Sequence, residues 1–439
     1  MEDRVPRSLV GRHQILSFVA LTFAISWVIW WGMASMSLSI ATWLGRSMRR
    51  RRPRTGIPLA AALLAAVAVG CSAPAGPTPS SPGMTAPSAT GSATSPTASP
   101  SITGVPTAEV TPPADAIEAV SPTEGSLNAL WVGPDVVLAG GAVGAAVQPT
   151  ILRFAGGAWT NVDVPVEWQG VPGQVMGITE VGGTFFAVGN ELPDKRRGFV
   201  WFSVDDGATW ELSLAVENAA LYDIAASGST VVVVGAHLDA GNSPTAAAWS
   251  SPNRESWLEA EVESASGQAI GSVAATTGGF AAVGTGATTS AADLTAWRTT
   301  DGATWTATQP DLPPLQLPTG LVEGPDGRLT MSGAAGKSGD PQLPFVTRSA
   351  DGAAWERTLL SEEEGYASAI EVADAALVVA GVDADRLTIW TEQAADWQPE
   401  VIEQTGAAIN ELAWDPLVGL VAVGSKDGHY AVWLLRGPP

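Results

Sequence analysis

The stretch that decides the fold is Gln174 to Val216, "QVMGITEVGGTFFAVGNELPDKRRGFVWFSVDDGATWELSLAV". Four short runs rich in Val, Phe, Trp and Ala are separated by clusters of Gly, Asp and Pro, which are strand and turn signals. "QVMGITEV" reads as a first strand, "TFFAVG" as a second, "GFVWFS" as a third and "WELSLAV" as a fourth. The second run is apolar throughout, which fits a strand packed on both faces. "SVDDGATW", Ser203 to Trp210, joins the third run to the fourth.

The same unit recurs along the chain. A glycine closes a β-rich run at Gly140, Gly189, Gly235, Gly284, Gly333, Gly381 and Gly424, at intervals of 49, 46, 49, 49, 48 and 43 residues. A tryptophan follows on the same beat at Trp159, Trp210, Trp257, Trp305, Trp355 and Trp397. No sustained 3.6-residue period appears, which disfavours coiled coils and helical solenoids. Four strands in each of seven copies predict an all-β chain, a seven-bladed β-propeller of four-stranded blades over residues 114–437. The seventh copy, "GLVAVGSKDGHYAVWLLRGPP", ends after three strands, while "DAIEAVSP" (Asp115 to Pro122) stands alone before the first. That segment is expected to supply the missing outer strand and so pair an otherwise open edge.

The joint "SVDDGATW" has near-copies in "TTDGATW", with Asp301, Gly302 and Trp305, and in "SADGAAW", with Asp351, Gly352 and Trp355. Asn253 keeps a similar turn residue. A short polar side chain there accepts hydrogen bonds from the turn's own N–H groups, and glycine supplies a positive φ. Ser203, Asp205, Gly207, Thr209 and Trp210 match S-x-D-x-G-x-T-W, so the joint resembles the Asp-box of sialidase-like propellers. The resemblance implies a structural turn on the face opposite the ligand-binding mouth, and no catalytic role for these aspartates. Each turn offers one or two carboxylates, a thin basis for calcium.

Residues 48–71 read as an export signal, with a basic start (Arg49 to Arg54), an apolar run (Ile57 to Val69) and small residues before Cys71, the one cysteine. "AVGC" resembles a bacterial lipobox, which implies acylation of Cys71 and a lipid anchor on the outer face of the cytoplasmic membrane. Residues 72–113 are a Pro/Ser/Thr/Ala tether that cannot bury a core. Residues 1–47 are either an overlong gene prediction or a membrane helix preceding the signal. Residues 12–30 resemble the first membrane helix of CAAX-protease-like proteins, without that family's catalytic motifs.

Nine of the 22 Lys and Arg lie in residues 1–71, so beyond Cys71 thirteen basic residues face 42 acidic ones, a balance of −29. Such a surface repels phosphate backbones, so no nucleic-acid partner is expected. One cysteine allows neither a disulfide framework nor a thiolate metal site. His237 and His429 are the histidines beyond the signal, too few for a histidine-rich zinc site. No metal or cofactor is expected, and a monomer is.

With the turns on one face, function is expected on the other, among loops that vary most between copies. Candidates for that ligand face are Asn128, Tyr222, Asp223, Glu371, Asn410 and Glu411 entering first strands, and Lys195, Arg196 and Arg197 in "DKRR". The expected function is non-catalytic recognition of a protein or glycan. A sialidase-like glycoside hydrolase is the alternative. It asks for three convergent arginines, a Tyr nucleophile with an assisting acid, and an acid/base Asp. An assembly or stability factor for a membrane complex is a second, since the pattern also looks like the propellers of photosystem-assembly proteins.

Overall fold

The computed structural model describes residues 117–435, apart from 193–196, 265, 289–290, 313–315, 337–340, 395, 403–405 and 418. The signal, Cys71, the tether and the first residues of the Asp115–Pro122 segment lie outside the described residues. Among those described, no helix is long and apolar enough to cross a membrane.

The chain is all-β, built from antiparallel sheets of which four have four strands each. In the quoted stretch, Gly173–Val181, Thr184–Glu191, Arg197–Ser203 and Glu211–Glu217 pair in chain order. Short Gly-rich turns leave adjacent strands no other partner. A seven-stranded sheet contains both ends of the domain. Ile117–Val132 pairs through its first half with His429–Leu434, Ile117 opposite Leu434, and through its second half with Val137–Val143. One sheet gains a fifth strand, because Glu261–Val262 leaves its own repeat and runs parallel to Thr304–Trp305 of the next.

The core lies between sheets. Leu138 and Ile151 of the first repeat share one cluster with Val175, Ile178, Phe185 and Ala187 of the second. Second strands such as Thr230–Leu238 are buried along nearly their whole length, because a sheet covers each face. Each such side chain contributes roughly 1.5–3 kcal/mol by leaving water, more than a surface turn supplies. The first strands of successive repeats touch in a closed cycle, with Ala407–Asp415 of the last against Ile117–Val132 of the first.

Every first strand carries a β-bulge at the same register. The extra residues are Asn128, Met176, Tyr222, Gly271, Thr319, Ser368 and Asn410. The residue before each bulge faces a glycine of the second strand, as in Leu221↔Gly235 and Ile409↔Gly424. A Cβ on Gly235 would collide with the Ala220 carbonyl oxygen, and one on Gly424 with that of Ala408. This close approach is why glycine recurs. It also corrects the first repeat: the glycine facing the bulge there is Gly141, opposite Leu127, and Gly140 pairs with Ala129.

Candidate functional site

Two ends of the sheets can be told apart by their residues. At one end sit the turns between third and fourth strands. Ser203 Oγ donates to Asp205 Oδ1 (2.8 Å) and accepts the Gly207 N–H (3.0 Å). Asp205 accepts Thr209 N–H (2.9 Å) and Thr209 Oγ1 (2.7 Å). Trp210 Nε1 donates to Gly207 O (3.1 Å). Thr299, Asp301, Gly302 and Trp305 repeat this pattern, as do Ser349, Asp351, Gly352 and Trp355. Asn253 accepts the N–H groups of Glu255 and Ser256. Slight burial pushes the Asp205 carboxyl up, but hydrogen bonds from Thr209 and Ser203 outweigh it and hold it low. Backbone N–H groups lead the same effect at Asp301 and Asp351.

The turns also pack against the preceding repeat. Gly207 has a φ of 75°, and a Cβ there would meet Leu138 Cδ2 at 2.5 Å. Gly302 stands likewise over Val232. Arg153 Nε donates to Asp206 O (2.8 Å), and Arg348 binds Glu392 (2.6 Å) beside Trp397. These arginines, with Arg298 against Gly352, are engaged at the turn end and do not meet a tyrosine at the opposite mouth. A sialidase-like constellation is therefore not assembled from them.

About midway along the first strands, which are entered from the opposite end, the bulges interrupt the pairing. A bulge re-aims side chains and leaves backbone groups unpaired, and here acids and amides take them up. Asp223 accepts Ile224 N–H (2.7 Å) in its own strand, and Ser272 Oγ (3.0 Å) and Val273 N–H (2.8 Å) in the next repeat. Asn410 Nδ2 donates to Leu127 O (2.9 Å) and Asn128 Oδ1 (3.1 Å), joining last repeat to first. Thr319 Oγ1 donates to Ala367 O (2.9 Å) at the equivalent place. Asn190 meets both backbone groups of Leu221.

Asp223, Glu371 and Glu411 are half-buried, walled by neighbouring strands. Burial pushes the Asp223 carboxyl up to about 6 against the hydrogen bonds that lower it. Burial likewise pushes Glu371 up to about 7. Glu411 rises well above its ordinary value, through burial first and then the charges of Asp223 and Glu371. The three carboxyls therefore share one electrostatic environment. Tyr222 is half-buried beside Asp223, and burial raises Tyr366 to about 12. Among the described residues no group of three His, Cys, Asp or Glu is placed to hold a metal ion.

The structure thus brings together Asn128, Tyr222, Asp223, Glu371, Asn410 and Glu411 on the cycle of first strands. Arg197 is placed elsewhere. It binds Glu191 (3.2 Å) and lies over Trp168 (4.3 Å), so its guanidinium is already matched. Lys195 and Arg196 lie outside the described residues. Sequence reasoning missed Thr319 and the bulges.

No protein-family model matches the chain. No curated protein matches it. Among solved structures it is similar to a protein of unknown function from Dyadobacter fermentans, at 12% identity over 73% of this chain and 98% of that one, with a TM-score of 0.46. It is also similar to Trypanosoma rangeli sialidase in complex with sialic acid, at 14% identity over 64% of this chain and 55% of that one, with a TM-score of 0.40.

Proposed function

We propose that the chain is a seven-bladed β-propeller, exported, lipid-anchored at Cys71 and working as a monomer, that binds a protein or glycan without catalysis on its loop-rich face. The ring reading is supported by the cyclic contacts of the first strands and by the pairing of Ile117–Val120 with Ala431–Leu434. One observation carries the choice of face. Tyr222, Asp223 and Glu411, side chains without a role in turn geometry, stand at the bulges midway along first strands that are entered from the end opposite the Asp-box turns, and Glu371 shares their electrostatic environment from nearer the turn into its second strand. Concave sites with a few convergent polar groups and perturbed carboxyls are where ligands bind.

Two experiments test this reading. The full chain is screened on a glycan array and in pull-downs, and any ligand found is re-tested with Tyr222→Ala; retained binding would move the site off this face. Cys71→Ser should release the protein from membranes and abolish labelling by radioactive palmitate. Continued membrane retention without label would remove the anchor from the proposal.

A further inference from the structure

We propose that the seam between the fifth and sixth repeats is the line along which neighbouring sheets part, latched at the turn end by Arg348 and Glu392. This inference concerns a motion of the scaffold and does not depend on where the ligand binds.

The first support is a concentration of unmet polar groups. Six buried side-chain polar atoms among the described residues have no hydrogen-bond partner, and four of them stand on Thr330, Arg348, Asp383 and Trp390. All four face this seam. Trp390 belongs to the apolar cluster that joins Val346 of the fifth repeat to Leu377 and Val379 of the sixth. Asp383 follows Val379 at even spacing in a strand of unbroken register with its third strand, so it lies on the same side. Thr330 pairs with Val322, which packs on that cluster, and with Arg348, which crosses the seam to Glu392 (2.6 Å). Register partners project from one side of a sheet. Unmet groups of this kind are rare in a native interior, and all four gain water when the sheets part.

The second support is a missing joint. Arg153 pairs with Leu138 in the first repeat as Arg348 pairs with Thr330 in the fifth. In the first case the next repeat's turn covers the pair. Asp206 O accepts from Arg153 Nε (2.8 Å), and Gly207 stands over Leu138. Gly302 covers Val232 and Ser250 in the same way, and Gly352 stands against Arg298. In the sixth repeat Gln393 pairs directly with Asp396, which leaves two residues for the turn, both alanines. Arg348 Nε therefore meets no turn carbonyl. Trp397 is half-buried, where Trp210, Trp305 and Trp355 are buried.

The apolar seal is also small. Among the described residues six buried side chains form it, against thirteen between the first and second repeats, where the other two unmet atoms lie, on Trp168 and Trp201. The seam between last and first repeats has seven, but the Asn410 amide and the Ile117–Val120 pairing close it. Across the fifth and sixth repeats Thr319 Oγ1 donates to Ala367 O (2.9 Å) between first strands, and Gly365 N–H to Gln342 O (2.8 Å) at the loop end. These bonds form the hinge. At the turn end stands the Arg348–Glu392 pair, 19% and 17% exposed and so open to water.

Thiol labelling of buried cysteines reads the parting of sheets directly. In a Cys71→Ser background of the full chain, Val379→Cys places a thiol in this seam, and Val188→Cys places one between the second and third repeats; both valines are fully buried. The thiol at 379 should react with a water-soluble disulfide reagent about tenfold faster, because local opening exposes it. Adding Thr330→Val or Trp390→Phe removes an unmet group at nearly constant volume. Each should slow that reaction severalfold and leave the melting temperature unchanged or raised. Adding Glu392→Gln releases the latch and should speed it severalfold, with the thiol at 188 unaffected by all three. Equal rates at 379 and 188, when both variants melt cooperatively, overturn the proposal. So does a lower melting temperature for Thr330→Val in the otherwise unaltered chain, since its hydroxyl would then be matched inside a closed seam.

Discussion

The side-chain amide of Asn410 donates to the carbonyl oxygen of Leu127 at 2.9 Å, across a sequence separation of 283 residues. It joins the inner edge of the last repeat to that of the first, while Ile117–Val120 closes the outer edge of the last repeat by pairing with Ala431–Leu434. Asn410→Ala leaves the Leu127 carbonyl without this donor and should cost about 1–3 kcal/mol. Deleting residues 115–122 exposes a whole strand edge and should cost more, lowering the melting temperature by several degrees beyond Asn410→Ala. An unchanged melt after the deletion would mean that the outer pairing is incidental.

The glycines opposite the bulges should be intolerant of any side chain. A methyl group on Gly235 collides with the Ala220 carbonyl, a backbone atom that cannot swing aside. Gly235→Ala is expected to cost upwards of about 3 kcal/mol or abolish folding. Gly271→Ala, whose nearest atom would be Val283 O at 3.8 Å, should be nearly neutral. Chemical denaturation of the two variants compares them, and equal stability would contradict the close-approach account.

The tryptophan turns should behave as structural joints. Asp301→Ala removes the acceptor for Ala303 N–H (2.8 Å) and the partner of Thr299 Oγ1 (3.0 Å). On an exposed turn the expected loss is about 1 kcal/mol. Gly302→Ala should cost more. It strains a φ of 78° and meets Val232 Cγ2 at 2.7 Å, so the turn must lift off the preceding repeat. A reversed order of the two losses, measured by thermal melting, would shift the weight from packing to hydrogen bonding.

The axial acids should make the fold less stable as pH rises through neutrality. Asp223 titrates near 6 and Glu371 near 7 in the folded chain, with Glu411 higher than usual. Between about pH 4 and 7 the folded state therefore holds protons that the unfolded chain has released, and unfolding free energy falls with pH. For Asp223 a rise from 3.8 to about 6 corresponds to roughly 3 kcal/mol. Asp205, Asp301 and Asp351 act oppositely and lose their contribution below about pH 4. Melting temperature should peak near pH 4–5, and Glu411→Gln should flatten its decline toward pH 8. A melting temperature that climbs steadily from pH 5 to pH 8 would contradict these assignments.

Much of the architecture was legible in the sequence because strands and tight turns are local. The spacing of Gly189, Trp210 and their copies exposes the four-strand unit, and Ser203 to Trp210 carries its turn in its own residue types. The bulges were not legible. An extra residue such as Tyr222 or Asn410 is a break in alternation, and in these apolar strands alternation is weak. The pair Gly140 and Gly141 shows the same limit, since choosing between them needs the partner strand. The candidate site was legible at Asp223, Glu371 and Glu411 as polar residues inside apolar runs. At Arg197 the residue was legible but its partners were not, because Glu191 and Trp168 come from another strand and a loop.

The central claim is that ligand recognition belongs to the axial mouth and the tryptophan turns only support the scaffold. The most direct measurement is a paired affinity comparison on the full chain, using whichever ligand the array or pull-down yields. Tyr222→Ala and Glu411→Gln represent the mouth; Asp301→Ala and Asp351→Asn represent the turns, each measured where it is fully folded. The account predicts at least a tenfold loss, about 1.4 kcal/mol, for the mouth variants and no more than twofold for the turn variants. Loss of binding in the turn variants with the mouth variants unaffected would contradict it.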